Sequence, residues 1–111
     1  MKTITISEAE FQKQVTELAH LRRWRVASFR RVRVQRKSGA VYWETPVGAD
    51  GKGWPDLVLC RGIRLIFAEL KIGKNKTTPE QVAWLDSLAM TGAETYIWRP
   101  EDWAEIERVI E

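Results

Sequence analysis

Apolar residues near the start of the chain recur at helical spacing and predict a first helix. They are three or four residues apart: Phe11, Val15, Leu18 and Leu21. Side chains at this spacing lie on one face of a helix. Ser7 precedes the first of them and Glu10 follows three residues later, which is the arrangement of a capping box. The pattern therefore predicts a helix over residues 7 to 22.

The next segment changes to the alternation of apolar and polar residues that is typical of strands. After the segment 24–29, the alternation over residues 31–35 predicts a strand with a basic, solvated face. Ser38-Gly39 predicts a turn, and residues 41–43 predict a returning strand. Residues 45–54 contain three glycines and one proline, a composition that predicts a loop.

Two apolar runs, 56–60 and 63–71, flank Arg61-Gly62 and predict a tight β-hairpin. A two-residue turn at that dipeptide would place Asp56 opposite Phe67. Side chains alternate between the two faces of a strand, so Asp56, Glu69 and Lys71 would then share a face. Glu69 would lie diagonally from Asp56, at about 7–8 Å. The opposite face would be entirely apolar: Leu57, Leu59, Ile66, Ala68 and Leu70.

A second helix is predicted after the hairpin. Thr78 can cap it, Pro79 occupies the first helical position, and Gln81 is the capping-box partner. Gly92 would end this helix, residues 94–98 predict a further strand, and a last helix would start at Pro100. We therefore expect an α/β fold of order α-ββ-ββ-α-β-α, a mixed central sheet flanked by helices, in one domain spanning residues 1–111.

The chain is 44% hydrophobic and 30% charged, as in globular proteins, and its net charge of +3 hides a local asymmetry. No acid lies between Glu17 and Glu44, a stretch with 8 of the 18 basic residues, which leaves 10 basic against 15 acidic residues, or −5, elsewhere. This segment indicates a polyanionic partner. The alternative is a solvated strand pair whose basic edges oppose aggregation.

The scarcity of sulfur and imidazole ligands excludes some kinds of site. The chain has one cysteine, Cys60, for which we expect a small core residue, and one histidine, His20. An internal disulfide, a Cys/His zinc site and a histidine-based nuclease are therefore excluded. No stretch approaches the about 20 apolar residues of a membrane span, and we expect a cytoplasmic protein without membrane contact.

Two carboxylates and an ammonium on one face of an apolar hairpin predict a metal-dependent site. Such charges are costly to place there unless something uses them. Asp56 and Glu69 offer the oxygen ligands that suit Mg²⁺ or Mn²⁺, and Lys71 could hold an attacking water and offset phosphate charge. The alternative is a surface ion pair between Glu69 and Lys71.

Two segments of the chain resemble a known signature. Residues 53–59, Gly-Trp-Pro-Asp-Leu-Val-Leu, and residues 67–71, Phe-Ala-Glu-Leu-Lys, resemble the PD-(D/E)XK nuclease signature. Residues 78–85 and Gly92-Ala93 resemble, more narrowly, the virus-type replication-repair nuclease (VRR-NUC) domain. The resemblance implies a restriction-endonuclease-like core. It covers nearly the whole chain except residues 30–50.

The resemblance also implies roles for individual residues. Asp56 and Glu69 would bind the metal with the backbone carbonyl of Leu70, and Lys71 would be the catalytic lysine. Glu8 matches a glutamate of the first helix that supports the metal, with Glu10 as a rival that its capping role already explains. Gln81 matches a glutamine near the site, although a purely capping role accounts for it equally well.

The basic residues and two tryptophans are candidate DNA contacts. We expect phosphate contacts from Lys74 and Lys76 beside the site, and a second track of basic residues: Arg30, Arg31, Arg33, Arg36 and Lys37. Trp43 and Trp54 could stack on unpaired bases, or could instead pack in the core or a dimer. Trp84, Trp98 and Trp103 fit core faces.

Together these features predict a Mg²⁺- or Mn²⁺-dependent endonuclease that selects DNA structure rather than sequence. Standalone domains of the family resemble dimeric Holliday-junction resolvases, which implies a homodimer cutting branched DNA. The alternatives are a flap-cutting or restriction-like nuclease, acting alone or in a complex, and a DNA-binding module without activity.

Overall fold

The computed structural model describes residues 6–29 and 32–111. Its helices are α1 (Glu8–Leu21), α2 (Pro79–Ala89) and α3 (Trp103–Ile110), with a 3-10 turn over Pro100–Asp102 before α3. Its strands are β1 (Arg25–Ser28), β2 (Val32–Gln35), β3 (Val41–Glu44), β4 (Leu57–Arg61), β5 (Arg64–Leu70) and β6 (Glu94–Trp98). The three predicted helices are confirmed, the first two within one or two residues. The α1 cap is also confirmed, since Ser7 Oγ accepts from the Glu10 N–H at 3.1 Å.

The strands form a four-stranded sheet of order β1-β4-β5-β6 and a separate two-stranded ribbon of β2 and β3. The four-stranded sheet is mixed, because β5 pairs antiparallel with β4 and parallel with β6. An α/β fold with a mixed sheet is therefore confirmed. The predicted order is wrong in one respect, since three strands rather than two precede the hairpin. The third strand arises because β1 joins β4 in the main sheet while β2 and β3 pair with each other.

The β4–β5 turn lies one residue later than the sequence predicts. Arg61 pairs with Arg64, so the two central residues are Gly62 and Ile63. Gly62 has a φ of +59°, the conformation that a type II′ turn requires at its first central position. The same register continued past β4 sets Asp56 opposite Glu69 instead of Phe67. The observed pairing differs from the predicted one by two residues on β5, and side chains alternate with a period of two, so the predicted faces are unchanged.

One face of the four-stranded sheet packs against α1 and α3 to form the core. The five residues predicted for the apolar face of the hairpin are all fully buried there: Leu57, Leu59, Ile66, Ala68 and Leu70. Phe11 and Val15 of α1 and Ile106 and Ile110 of α3 cover them. Burial of this apolar surface supplies the main stabilisation of the fold and holds the hairpin rigidly.

The opposite face of the sheet is only partly covered, by α2. Phe67 is buried on this side, whereas Leu65 and Ile97 are 39% and 44% exposed. Cys60 also lies on this side and is exposed, so the expectation of a core cysteine is wrong. Its register with Leu65 places it on the face away from α1 and α3. None of the helices in the described ranges is both long and apolar enough to cross a membrane.

Candidate active site

Asp56 lies at the point where β4 begins, and its side chain continues the strand pairing. Its Oδ2 accepts a hydrogen bond of 2.8 Å from the backbone N–H of Leu70. Its carbonyl oxygen accepts one of 3.2 Å from the N–H of Phe29. Asp56 is therefore held on both sides by backbone groups, which leaves its carboxylate little freedom to turn away.

Glu69 lies on β5, the strand that pairs on both sides, and is only 2% exposed. Lys71 directly follows β5 and is 7% exposed, with its Nζ 3.8 Å from Glu69 Oε1. The structure thus brings together the three residues that the sequence predicts. The alternative of a surface ion pair is wrong, because both side chains are buried. Their catalytic role remains a prediction.

The environment of Glu69 strongly favours its neutral form. Burial, first, and the negative charge of Asp56, second, raise the pKa of the Glu69 carboxyl to about 9. The Lys71 ammonium opposes the shift, and Glu8 adds a smaller negative contribution. Two neighbouring carboxylates thus have too little positive charge around them. A bound proton or a cation would relieve this imbalance.

The two carboxylate oxygens of Glu69 have different surroundings. Oε1 accepts a hydrogen bond of 3.0 Å from Gln81 Nε2 and lies beside Lys71. Oε2 is buried and has no hydrogen-bond partner among the described residues. A buried oxygen without a partner is costly, and such an atom in a native site calls for a ligand or another explanation.

Gln81 makes the capping contacts that its position predicts and contacts the site as well. Its Oε1 accepts from the Thr78 N–H at 2.8 Å, and its own N–H donates to Thr78 Oγ1 at 3.2 Å. The amide nitrogen remains available for Glu69. The capping role and the place near the site are therefore compatible, although the sequence presents them as alternatives.

Glu8 lies in the first turn of α1, on a cleft of about 740 Å³ that also exposes Asp56. Its negative charge contributes to the raised pKa of the Glu69 carboxyl. Within 6–29 and 32–111, no group of three or more His, Cys, Asp or Glu side chains is placed to hold a metal ion. Asp56 and Glu69 lie opposite each other across the hairpin, and a direct metal contact from Glu8 remains a prediction.

The donor set of Asp56 and Glu69 fits a hard divalent cation. Mg²⁺ is commonly bound through one or two carboxylates, with water and substrate phosphate completing the shell. The buried Glu69 Oε2 is the atom that such an ion would satisfy. Leu70 lies in the right place, since its N–H bonds Asp56, and a ligand role for its carbonyl remains a prediction.

The basic loop beside the site is fixed by a residue that the sequence analysis did not single out. Lys74 and Lys76 are exposed on this loop. Arg99 donates hydrogen bonds to the carbonyl oxygens of Gly73 at 3.0 Å and Asn75 at 2.5 Å. Because β5 and β6 are parallel, the residues after them meet at one edge of the sheet, and this signal could have identified Arg99.

The predicted second track of basic residues falls on the β2–β3 ribbon. Arg33, Arg36 and Lys37 are exposed, and the Arg36 guanidinium lies 5.0 Å from the centre of the Tyr42 ring. Arg30 and Arg31 lie outside the described residues. The structure thus leaves three of these five cations on a solvated surface, and contact with DNA remains a prediction.

Gly53 and Trp54 position the segment that carries Asp56. Gly53 has a φ of +89°, and an added Cβ would lie 2.5 Å from the carbonyl carbon of Glu80 at the start of α2. Trp54 makes edge contacts with Phe67 and Trp84, with ring centres 5.5 and 5.0 Å apart. Trp54 therefore packs within the protein, which was one of its two predicted roles, and is not presented for stacking on a base.

Trp43 differs from Trp54 because it is 63% exposed and lines the cleft. Asp56 lines the same cleft, which connects Trp43 to the candidate active site.

Comparisons with protein-family models, with curated proteins and with solved structures find no match to this chain. The resemblance to VRR-NUC therefore depends on its motifs alone.

Proposed function

We propose that this protein is a metal-dependent endonuclease that hydrolyses phosphodiester bonds of DNA and selects DNA structure rather than sequence. The observation that carries the proposal is the placement of Asp56 opposite Glu69 across the hairpin, with Lys71 Nζ 3.8 Å from Glu69 Oε1 and with Glu69 Oε2 buried and unpartnered among the residues described. Glu69, whose pKa is raised, lies opposite Asp56, which lines the cleft, and perturbed titratable groups cluster at functional sites. The fold we propose is accordingly restriction-endonuclease-like.

Asp56 and Glu69 would hold Mg²⁺ or Mn²⁺. When bound, the ion would supply Lewis-acid stabilisation of phosphate charge and a more acidic water. Asp56 is suited to this because backbone hydrogen bonds fix its position. Glu69 is suited because one of its oxygens has no competing partner in the described part of the chain.

Lys71 and Gln81 would orient the reacting groups. The ammonium of Lys71 lies beside Glu69 Oε1, where it can hold a water and offset the negative charge of a phosphate. The amide of Gln81 fixes the Glu69 side chain from the other direction. Oε2 has no hydrogen-bond partner in the described part of the chain and would be the oxygen that binds the ion.

Contacts to the DNA backbone would come from exposed cations. Lys74 and Lys76 follow Lys71 closely in the chain, on a loop that Arg99 holds. Arg33, Arg36 and Lys37 on the ribbon are also exposed. Phosphate contacts position a protein on DNA without identifying bases. We therefore favour branched DNA as substrate and a homodimer that presents two sites to opposing strands.

The proposal is tested by incubating the purified protein with four-way junction, flap, nicked and linear duplex DNA, each with Mg²⁺, Mn²⁺ or EDTA. We expect cleavage of the junction with either metal and none with EDTA. Preferential cutting of the flap by a monomer would favour the alternative nuclease. Binding without cleavage in any metal would contradict catalysis and favour a DNA-binding module.

A further inference from the structure

The cleft beside Asp56 has a composition that suits an uncharged ring better than a phosphate. It is lined by α1, by the end of β1 and by β3, and its volume of about 740 Å³ lies within the range of small-molecule sites. Its charged residues include Glu8, Glu17 and Asp56 against one cation among the described residues, Lys13. Lys13 lies 3.9 Å from Glu17, so its charge is already offset. The excess of acidic groups disfavours phosphate inside the cleft.

The rest of the cleft wall offers aromatic and neutral polar side chains. Phe29 and Trp43 supply the aromatic surface, and Trp43 is 63% exposed although it is one of the largest apolar side chains. Gln12, Thr16 and Ser28 supply groups that both donate and accept hydrogen bonds. A planar ring with polar edges matches this combination.

Phe29 links the cleft directly to the candidate active site. Its N–H donates to the Asp56 carbonyl, so the two residues are neighbours across the ends of β1 and β4, and both line the cleft. At the rim, Arg33 pairs across the ribbon with Trp43 and is exposed on the same face. A strand entering the cleft would thus meet an aromatic face first, with a cation for its phosphate outside.

We propose that this cleft is a subsite for an unpaired DNA base next to the scissile phosphate, in which Trp43 stacks on the base and Arg33 holds the adjacent phosphate. The proposal rests on the nuclease function and deepens it, because it gives a physical reason for selecting branched DNA. A fully paired base cannot enter the cleft without leaving its stack, whereas a base in a flap or single-stranded branch is already unpaired.

The test compares two single strands of equal charge. Fluorescence anisotropy in EDTA, where no cleavage occurs, measures the binding of an octathymidylate and of an abasic octamer with the same number of phosphates. The variants are Trp43→Ala, Trp43→Phe and, as a matched control, Val41→Ala, an exposed residue two positions away on the same face of β3. Thermal unfolding confirms that each variant folds.

The wild-type protein should bind the octathymidylate about tenfold more tightly than the abasic strand, as expected for one stacked base. Trp43→Ala should remove this preference, whereas Trp43→Phe and Val41→Ala should keep most of it. Arg33→Ala should weaken the binding of both strands equally. A wild-type protein without the preference, or a Trp43→Ala variant that retains it, would overturn the subsite.

The two proposals can fail separately. If the wild-type protein shows the Trp43-dependent preference but cleaves no DNA, the subsite stands and the nuclease function fails. If it cleaves DNA while Trp43→Ala keeps the preference, the nuclease function stands and the subsite fails.

Discussion

The side-chain amide of Gln81 donates a hydrogen bond of 3.0 Å to Oε1 of Glu69 and thereby joins the start of α2 to the candidate active site. The same side chain closes the capping box with Thr78. A single residue thus stabilises a helix and orients a buried carboxylate. Separate substitutions of Gln81 and Thr78 can distinguish these two effects.

Thr78→Ala should lower the free energy of unfolding by about 1 kcal/mol, because the helix loses its cap, and should leave DNA cleavage nearly unchanged. Gln81→Ala should lower stability to a similar extent and also reduce cleavage, because Glu69 loses a hydrogen bond. Denaturant unfolding and cleavage rates for both variants test this. Equal cleavage by the two variants would limit Gln81 to capping.

The dependence of stability on pH should reflect the buried Glu69 carboxyl. Its pKa is about 9 in the folded protein against 4.5 when unperturbed, so the folded state binds the proton more tightly than the unfolded state. The resulting stabilisation is complete below pH 4.5 and is lost as the pH rises toward 9. Glu69→Gln removes this titration while keeping the shape of the side chain.

In EDTA, the Glu69→Gln variant should therefore gain stability relative to the wild-type protein as the pH rises from about 5 to about 9. Denaturant unfolding at a series of pH values measures the difference. Glu107→Gln, at an exposed position of α3, is the control and should show no such trend. A difference that is constant with pH would mean that Glu69 is not perturbed by burial and Asp56.

A divalent cation should stabilise the wild-type protein through the same carboxylates. An ion that binds only the folded state, at about 100 times its Kd, adds about 2.7 kcal/mol to the free energy of unfolding. We expect Mn²⁺ to raise the Tm of the wild-type protein at about pH 8 and to leave that of Glu69→Gln unchanged. The same rise in both proteins would place the ion elsewhere.

How far the sequence predicts this molecule depends on how local each signal is. The caps at Ser7 and Thr78 and the alternation within 56–70 are local, and the helices and hairpin faces follow from them. The predicted turn lies one residue too early, because the sequence does not show whether Gly62 takes the first or the second central position of the turn. Either placement puts the same side chains on each face of the hairpin, so the predicted faces are correct.

Other features depend on contacts between distant segments. Glycine is needed at position 53 because the start of α2 packs closely against it. Arg99 reaches the basic loop because β6 runs parallel to β5. Cys60 is exposed because α2 covers only part of its face of the sheet. Local patterns contain no information on such coverage. The separation of the ribbon from the main sheet is likewise a tertiary outcome.

The ribbon cations should contribute to the salt dependence of DNA binding. Arg33→Ala combined with Lys37→Ala should weaken binding and lower the slope of log Kd against log salt, by about 0.9 for each phosphate that is no longer neutralised. Arg108→Ala, at an exposed position of α3, is the control and should leave the slope unchanged. If the double variant keeps the full slope, the ribbon does not bind DNA phosphates.

The most direct test of the account measures cleavage of a four-way junction by Asp56→Asn in Mn²⁺, beside the wild-type protein and Asp86→Asn, an exposed control on α2. Removal of a metal ligand that stabilises the transition state by several kcal/mol should slow cleavage by more than about a hundredfold, while junction binding in EDTA stays close to normal. Asp86→Asn should cut at the wild-type rate. Cleavage by Asp56→Asn at that same rate would contradict the assignment of the site.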